Sequence, residues 1–373
     1  MKLSNISSLL ERARDVESAV GKSVLQQFSE ILALRFCKPP LDYSEYYDYG
    51  AWNPALSAAE RAEFIGWRRN ALVNEVLNDG AFILAGDKLI NYALLDNLGF
   101  PIPEIVAVYN KQGRRHADAP VLQSAEDVRG FVEAADYPFF VKPISSGTAR
   151  GSASVKSWDA ASQSLVMHND KRLSFDEFFA DFDTKAYGGK VLQKTLQPNP
   201  AIVELTGSSS VSGLRAICLM TPKGPLVHSV ILKLTTGGNA TDNFDDGNAG
   251  NYIGWVNVET GRVEYAISRL GLGGEINEHP VTHKPIVGFE VPNWSQIVEL
   301  LKDICINFPG LRIQSWDVAL CEQGPVMLET NARGDLKPWQ ATCKRGLMDA
   351  RFREVFEDAL KHPSLYRTEI PKY

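Results

Sequence analysis

The stretch RIQSWDVALCEQGPVMLETN, residues 312–331, constrains the fold more than any other part of the sequence. Branched and aromatic residues are frequent on both sides of the turn CEQGP, where Gly324 and Pro325 interrupt extended structure. We therefore predict an antiparallel hairpin in which Leu320 pairs with Val326. Such a hairpin requires the chain to build at least one antiparallel sheet.

The predicted register brings acidic side chains together. Asp317 falls directly opposite Glu329, and strand alternation places Asn331 on the same face as Glu329. Two carboxylates that face each other repel and weaken a hairpin unless a cation lies between them. Asp, Glu and Asn offer the hard oxygen ligands that suit Mg²⁺. The alternative, that these are solvated charges at a sheet edge, stays open at this point.

A second hairpin is predicted where GLRAICLM and LVHSVILKL flank the turn TPKGP. Pairing of Met220 with Leu226 sets Arg215 opposite Ile231, with Lys233 diagonally beside Arg215. The two cations then share one face, where they could bind a phosphate or a carboxylate. Two solvated side chains on an exposed face are the other interpretation.

The stretch FFVKPISSGTARGS, residues 139–152, joins an aromatic strand to a loop of Ser and Gly. Lys142 lies where the strand ends, and Gly147 and Gly151 would let a ligand approach the backbone closely. The sequence is neither a Walker A loop nor a GxGxxG motif. Its composition fits a flexible linker as well as a phosphate-binding loop.

The order of predicted elements indicates an α+β architecture and not a doubly wound sheet. The expected elements are a helix over 6–35 broken near Gly21, helices at Leu56–Leu77 and Asp87–Gly99, a strand at Glu104–Val108, a helix at Ser124–Ala135 capped by Ser124 and Asp127, a strand at Tyr137–Lys142, short strands from Val191 onward, and helices at Trp294–Phe308 and Leu347–Leu360. We predict a helical N-terminal extension (1–86), a small α/β subdomain (87–190) and a β-rich C-terminal subdomain (191–373).

Composition excludes several classes of protein. The formal net charge of −6 argues against a nucleic-acid-binding protein. Five scattered cysteines without a CxxC pair are typical of reduced thiols. The N-terminal stretch carries charges where a signal peptide needs an apolar core, and no apolar run is long enough to span a membrane. We therefore expect a cytoplasmic protein.

Three features in a fixed order, the lysine with its Gly/Ser loop, the basic hairpin and the D…ExN hairpin, resemble the ATP-grasp superfamily. The sugar-transfer-associated branch is the most similar. The segments that carry the resemblance are Tyr46-Tyr47 followed by LSAAERAEFIG, GDKLINYALLDNLGFPIPE, DNFDDGNAGNYIGWVNVETGRV, HPVTHKPIVGFEVPNW and SWDVALCEQGPVMLETNARGD. The sequence departs from the branch at Ser212, at Asn248-Ala249 and at Thr330, where the branch has Asn, a second Gly and Gly.

The resemblance implies an ATP-grasp fold, in which two α+β subdomains sandwich ATP, with ATP and Mg²⁺ as cofactors. It also implies roles for particular residues. The implied nucleotide contacts are Lys88, Lys142, the loop residues Ser145, Ser146, Gly147, Thr148, Gly151 and Ser152, and the hinge residues Gln193, Lys194 and Leu196; the catalytic residues are Arg215, Lys233 and Arg333; the metal ligands are Asp317, Glu329 and Asn331.

The implied reaction is ATP-dependent activation of a carboxylate as an acyl phosphate, followed by attack of an amine with release of ADP and phosphate. A small-molecule kinase and a non-catalytic nucleotide-binding protein are the alternatives. The expected partners are a small-molecule carboxylate and an amine, with no nucleic acid and no membrane; self-association as a homodimer is left open.

Overall fold

The computed structural model describes residues 3–36, 41–78, 86–145, 151–184, 188–331 and 334–363. The helices are α1 (Leu3–Val20), α2 (Val24–Phe36), α3 (Tyr43–Asp48), α4 (Ala58–Arg61), α5 (Trp67–Leu77), α6 (Lys88–Asn97), α7 (Ala125–Ala134), α8 (Phe175–Thr184), α9 (Pro200–Thr206), α10 (Trp294–Ile306), α11 (Lys337–Cys343) and α12 (Ala350–Lys361). The strands are β1 (Ile105–Tyr109), β2 (Val121–Leu122), β3 (Phe139–Pro143), β4 (Ala153–Asp159), β5 (Ser164–Met167), β6 (Arg172–Ser174), β7 (Lys190–Lys194), β8 (Gly213–Thr221), β9 (Gly224–Leu234), β10 (Tyr252–Val256), β11 (Val263–Ile267), β12 (Ile313–Cys321) and β13 (Gly324–Asn331).

The strands form two sheets, which confirms the predicted α+β class. A seven-stranded sheet has the order β2-β1-β7-β3-β4-β5-β6, and a six-stranded sheet has the order β11-β10-β9-β8-β12-β13. Every strand pair in the six-stranded sheet is antiparallel. The seven-stranded sheet extends through Lys194, so it includes four residues of the segment assigned to the C-terminal subdomain. The extents of the three subdomains stay predictions.

Both predicted hairpins form, and each contains a β-bulge. At the first turn Leu320 pairs with Pro325, one residue away from the predicted Val326. The extra residue, Leu328, is then absorbed between two pairs, so that Asp317 lies opposite Glu329 as predicted. A bulge sets two residues of one strand against one residue of the other, which shifts the register by one position.

The second hairpin behaves in the same way. Met220 pairs with Pro225 instead of Leu226, and His228 is the residue absorbed in the bulge. Beyond it, Arg215 lies opposite Ile231, which confirms the predicted register. In both hairpins the predicted pairing is therefore correct at the charged residues, beyond the bulge. Between the bulge and the turn it was wrong by one residue.

The six-stranded sheet is covered on both faces. Leu214, Ala216 and Cys218 of β8 pack in the core that includes α10. Ile217 and Leu219, which point the other way, pack in the core that includes α5 and α12. This alternation follows from the period of two in a strand. Arg215 lies on the second face, near the start of β8.

The predicted helix at Leu56–Leu77 is wrong, because the structure has two helices, α4 and α5. Between them, the main chain of Ile65 is held by one side chain: its N–H donates to Gln340 Oε1 at 2.7 Å, and its carbonyl accepts from Gln340 Nε2 at 2.9 Å. These bonds occupy main-chain groups that a continuous helix would need. Gln340 is distant in sequence, so no local pattern indicates the break.

The other predicted helix boundaries agree closely with the structure. The N-terminal helix breaks at Gly21, which has φ +72°. Asp87 caps α6, with its side chain accepting from the N–H groups of Leu89 and Ile90. Ser124 forms the predicted capping box with Asp127.

The N-terminal helices pack onto the rest of the molecule. Ala13 and Val16 of α1 share a core with Phe244, Ile253 and Ile267, which belong to the six-stranded sheet and its adjoining loop. The extension is thus joined to the C-terminal part by apolar contacts. In the described part of the chain we find no helix whose length and apolar character would let it cross a membrane.

Candidate functional site

A cleft runs between the two sheets, and most of the predicted site residues line it. Its floor is formed by side chains from β8, β9, β12 and β13 together with Lys88 of α6 and Lys142 of β3, and its opposite wall by the other lining side chains of β3, β4 and β7. The lining residues are Lys88, Phe140, Lys142, Ser152, Ser154, His168, Gln193, Thr195, Leu196, Ser209, Ser210, Val211, Arg215, Lys233, Ala240, Thr241, Asp242, Asn243, Asp317, Leu328 and Glu329.

The centre of the floor is an ion pair between neighbouring strands. Arg215 on β8 lies opposite Asp317 on β12. The guanidinium Nε and Nη2 donate to Asp317 Oδ1 and Oδ2, both at 2.6 Å. Two parallel charge-assisted bonds of this kind fix the orientation of an arginine. Burial alone would raise the pKa of Asp317, but the charges of Arg215 and Lys233 lower it well below its usual range.

Lys233 extends this ion pair into a network. Its Nζ lies 3.1 Å from Asp242 Oδ1 and 3.3 Å from Asp317 Oδ2. Burial disfavours the charged form of Lys233, but Asp242 and Asp317 outweigh burial and raise its pKa. The residue opposite Lys233 is Gly213, and a Cβ there would lie 3.0 Å from Asp242 Oδ2. The glycine leaves the room that the Asp242 carboxylate uses.

Glu329 and two lysines form the other end of the floor. Lys88, at the start of α6, places Nζ 3.0 Å from Glu329 Oε2. Lys142 is only 8% exposed, and its Nζ lies 5.2 Å from the centre of the Tyr92 ring. Burial lowers the pKa of Lys142 to about 7, although Glu329 partly offsets this effect. Lys142 therefore carries only part of a positive charge near neutral pH.

The wall formed by β7 provides groups suited to a nucleotide base. Gln193 and Leu196 line the cleft as expected, together with Thr195. Within the described structure, Gln193 Oε1 and Thr195 Oγ1 are buried and make no hydrogen bond. Buried polar atoms without partners are unfavourable, so such atoms fit a ligand that supplies the missing bonds. Lys194 differs, because its side chain is 57% exposed and outside the lining.

The predicted loop is only partly described. Ser152 lines the cleft, and the Gly151 carbonyl accepts a bond of 2.7 Å from Lys190 Nζ. Ser145 lies two residues after the end of β3 and is outside the lining. Ser146, Gly147, Thr148 and Arg333 lie outside the described residues, and their assigned roles stay predictions.

The metal-binding prediction can be tested only by donor chemistry. Glu329 and Asp317 face each other across β12 and β13, whereas Asn331, two residues beyond Glu329 on β13, is outside the lining of the cleft. These oxygen-bearing side chains fit Mg²⁺, which commonly completes its shell with water and phosphate oxygens. Glu329 fits better than Asp317, because both Asp317 oxygens already bind cations. No group of three or more His, Cys, Asp or Glu side chains suited to a metal occurs among the described residues.

Sequence reasoning missed several residues of the cleft. Tyr92 underlies Lys142, and His168 and Ser210 line the wall. Asn251 orders the loop that carries Asp242: its Nδ2 donates to the carbonyls of Thr241 and Asn243, at 2.8 and 2.7 Å. These residues come from separate parts of the chain and follow no local motif. For Asn251, the polar pattern NAGN at residues 248–251 was the only local indication of an ordered loop.

Comparisons with known proteins agree with this architecture. The family model for sugar-transfer-associated ATP-grasp proteins matches residues 68–355. No curated protein matches the chain significantly.

The solved structures found to resemble the chain are distant in sequence. They include a D-alanine–D-alanine ligase from Helicobacter pylori (12% identity, TM-score 0.41, covering 74% of this chain and 60% of that one) and a biotin carboxylase from Campylobacter jejuni (10%, 0.41, 75% and 47%). An N5-carboxyaminoimidazole synthase from Aspergillus clavatus is also similar (11%, 0.40, 74% and 52%). The chain thus matches about half of the length of these structures. Because the family model covers most of the sequence, the chain belongs to the sugar-transfer-associated ATP-grasp family.

Proposed function

We propose that the protein is an ATP-dependent ligase that activates a carboxylate as an acyl phosphate and joins it to an amine, releasing ADP and phosphate. Membership of an ATP-grasp family supports ATP-dependent, ligase-type activity in general terms. One observation carries the proposal: four basic side chains converge with Asp317 and Glu329 on one floor between the sheets. This arrangement suits a triphosphate and its metal.

The basic residues have distinct roles in this proposal. Lys88 and Lys142 would neutralise phosphate oxygens, and Arg215 and Lys233 would face the group being transferred. Because Asp317 and Asp242 already hold the last two cations in place, they need little reorganisation during the reaction. Preorganised charge of this kind is usually a large contribution to phosphoryl-transfer catalysis.

The proposed metal ligands are Glu329 and Asn331, with Asp317 as a third when a cation contact is exchanged. Mg²⁺ bound there would neutralise charge on phosphate oxygens. The chain itself contributes a floor from which most solvent is excluded, since Asp317 is only 6% exposed and Lys142 is 8% exposed. Exclusion of water protects an acyl phosphate from hydrolysis before the amine reaches it.

The direct test is a screen of carboxylates and amines for ADP release, with the products identified by mass spectrometry. The proposal predicts that ADP release by the wild-type protein requires a carboxylate and that the product contains a new amide bond. A stable phosphorylated product formed without an amine would contradict the ligase reaction and indicate a kinase. Absence of thermal stabilisation by Mg·ATP would contradict nucleotide binding altogether.

Glu329→Gln tests the metal assignment. Loss of the carboxylate charge removes the main proposed metal ligand and the partner of Lys88, while the amide keeps the size of the side chain. We expect ADP release to fall by at least about a hundredfold, with the melting temperature of the free protein little changed. Glu290→Gln, at a side chain that is 75% exposed, is the matched control and should retain wild-type turnover. Wild-type turnover in Glu329→Gln would refute the assignment.

A further inference from the structure

A histidine that the reaction above does not use lies in the wall of the cleft. His168 follows β5, and its main-chain N–H donates to the Ser154 carbonyl at 2.9 Å, which fixes the start of the turn. Its ring lines the cleft together with Ser210, from the loop before β8. His168 therefore belongs to the lining of the cleft between the two sheets.

Hydrogen bonds determine which ring nitrogen of His168 carries a proton. The Ser210 hydroxyl lies 2.7 Å from the Asn239 carbonyl and 3.0 Å from His168 Nε2. A carbonyl can only accept, so Ser210 spends its single proton on Asn239 and must accept a bond from His168 Nε2. Nε2 is then protonated, and Nδ1 of the neutral ring keeps its lone pair.

The acceptor Asn239 is itself fixed. Its Nδ2 donates to Asn251 Oδ1 and to the Ala249 carbonyl, both at 2.9 Å. Asn251 in turn holds the carbonyls on either side of Asp242. The orientation of His168 is thus set by the same loop that positions the Asp242–Lys233 pair.

An amine nucleophile normally enters the site as an ammonium ion, because aliphatic amines have pKa values of about 10. The ammonium group must lose a proton before its nitrogen can attack. The carboxylates that line the described cleft are already engaged: Asp242 by Lys233, Asp317 by Arg215 and Lys233, and Glu329 by Lys88. For Asp317, the charges of Arg215 and Lys233 lower the pKa and so reduce its basicity. Asp170, on the same turn as His168, is paired with Lys156 of β4 at 2.7 Å, and the charged groups Lys142, Lys233 and Asp242 line the same cleft as His168.

We propose that His168 is the general base of the amide-forming step, which rests on the proposed ligase reaction. Nδ1 of His168 takes one proton from the ammonium group, and the freed amine lone pair attacks the carbonyl carbon of the acyl phosphate. The C–N bond forms, the C–O bond to phosphate breaks, and the phosphate leaves with that electron pair. The new amide nitrogen still holds one proton more than the product, and this second proton goes to the leaving phosphate. The imidazolium then returns its proton to solvent or to the leaving phosphate.

Two substitutions separate this role from simple positioning. His168→Gln keeps an N–H donor for Ser210 but provides no base at neutral pH, whereas His168→Ala removes both. The rate of product formation is measured with the amine identified in the screen and, in parallel, with hydroxylamine. Hydroxylamine is largely unprotonated at neutral pH, so it needs no base before it attacks. His362→Gln, at a ring that is 73% exposed at the end of α12, is the matched control.

We expect both variants to lose amide formation by about a hundredfold to ten-thousandfold. Hydroxamate formation and carboxylate-dependent ADP release in the presence of hydroxylamine should stay near the wild-type rate in His168→Gln. His168→Gln that retains amide formation, or that loses the amide and the hydroxamate equally, would overturn the proposal. If the wild-type protein forms neither product with any carboxylate, the ligase reaction itself fails, and that result is distinct from both.

A second measurement needs no substrate. Since the chain has six histidines, long-range ¹H–¹⁵N spectra of the full-length protein are simple enough to assign His168 by comparison with His168→Gln. With Mg·ADP bound, we expect the tautomer protonated at Nε2, and Ser210→Ala should shift that ring toward the other tautomer. A wild-type ring protonated at Nδ1 would overturn the proposal, because Nδ1 would then have no lone pair with which to accept a proton from the ammonium group.

Discussion

At the scale of single residues, Lys142 shows how burial changes the charge of a side chain. The strand that carries it is buried between β4 and β7, and the side chain reaches the cleft over the Tyr92 ring. Burial lowers its pKa to about 7. The ammonium form is then favoured only below neutral pH in the free protein, although a phosphate beside it would favour that form strongly.

Nucleotide binding should therefore take up a proton at Lys142. Above pH 7 the free lysine is increasingly neutral, so affinity for Mg·ADP should fall as the pH rises, by at most about tenfold per pH unit. Calorimetry in buffers of different ionisation enthalpy measures the proton uptake directly. Lys142→Met should bind more weakly and lack this part of the pH dependence, whereas Lys194→Met, at an exposed side chain, should behave as the wild type. Equal proton uptake by wild type and Lys142→Met would contradict the role of Lys142.

At the scale of the secondary-structure elements, Gly213 lies where β8 packs closely against β12 and against the loop that carries Asp242. A Cβ at this position would lie 2.8 Å from the Val318 carbonyl and 3.0 Å from the Asp242 carboxylate. We expect Gly213→Ala to lower the free energy of unfolding by roughly 1–3 kcal/mol, because the Val318 backbone cannot yield without distorting the sheet. Urea unfolding measures the change.

Gly130 gives the opposite expectation within one helix. It lies inside α7, and a Cβ there would meet no atom within 4 Å. Gly130→Ala should raise the free energy of unfolding by about 0.5–1 kcal/mol, because alanine favours helix and restricts the unfolded chain. The same urea titration serves both variants. Destabilisation by Gly130→Ala, or none by Gly213→Ala, would show that the packing at these glycines differs from that described.

The elements also show where sequence reasoning succeeded and where it failed. Pairings within a hairpin were predictable, so Asp317 was placed opposite Glu329 and Arg215 opposite Ile231. The pairing of β8 with β12 joins strands that are distant in sequence and was not predictable from local pattern. As a result, the counter-ion of Arg215 was missed, and the cation beside Asp317 was expected to be a metal. In the structure, the protein supplies cations of its own there.

At the scale of the whole molecule, the N-terminal helices and the six-stranded sheet share one core. Val16 is 1% exposed and packs in the cluster that contains Ile253 and Phe244. Its partners were not predictable from sequence, because the amphipathic pattern of α1 indicates which face is buried and not what covers it.

Val16→Asp tests whether the N-terminal helices and the six-stranded sheet unfold together. An unpaired charge in that core should lower the free energy of unfolding by roughly 3 kcal/mol or more. Unfolding followed by tryptophan fluorescence and by far-UV circular dichroism should remain a single coincident transition, shifted to lower urea. Ser18→Asp places the same charge on an exposed position of the same helix and should change little. Separate transitions, with thermal protection by Mg·ADP unchanged, would show that the extension folds as an independent unit.

The extra residues within the two hairpins, Leu328 and His228, bear on how related chains are aligned over their full length. Each bulge shifts the strand pairing by one residue, and it lies between the turn and the charged residues. The turn can therefore gain or lose a residue while the charged residues keep the same partners. An alignment that places its gap at the turn would then match the wrong side chains along several positions of each strand. Gaps should be placed at Leu328 and His228, where the chain itself departs from regular pairing.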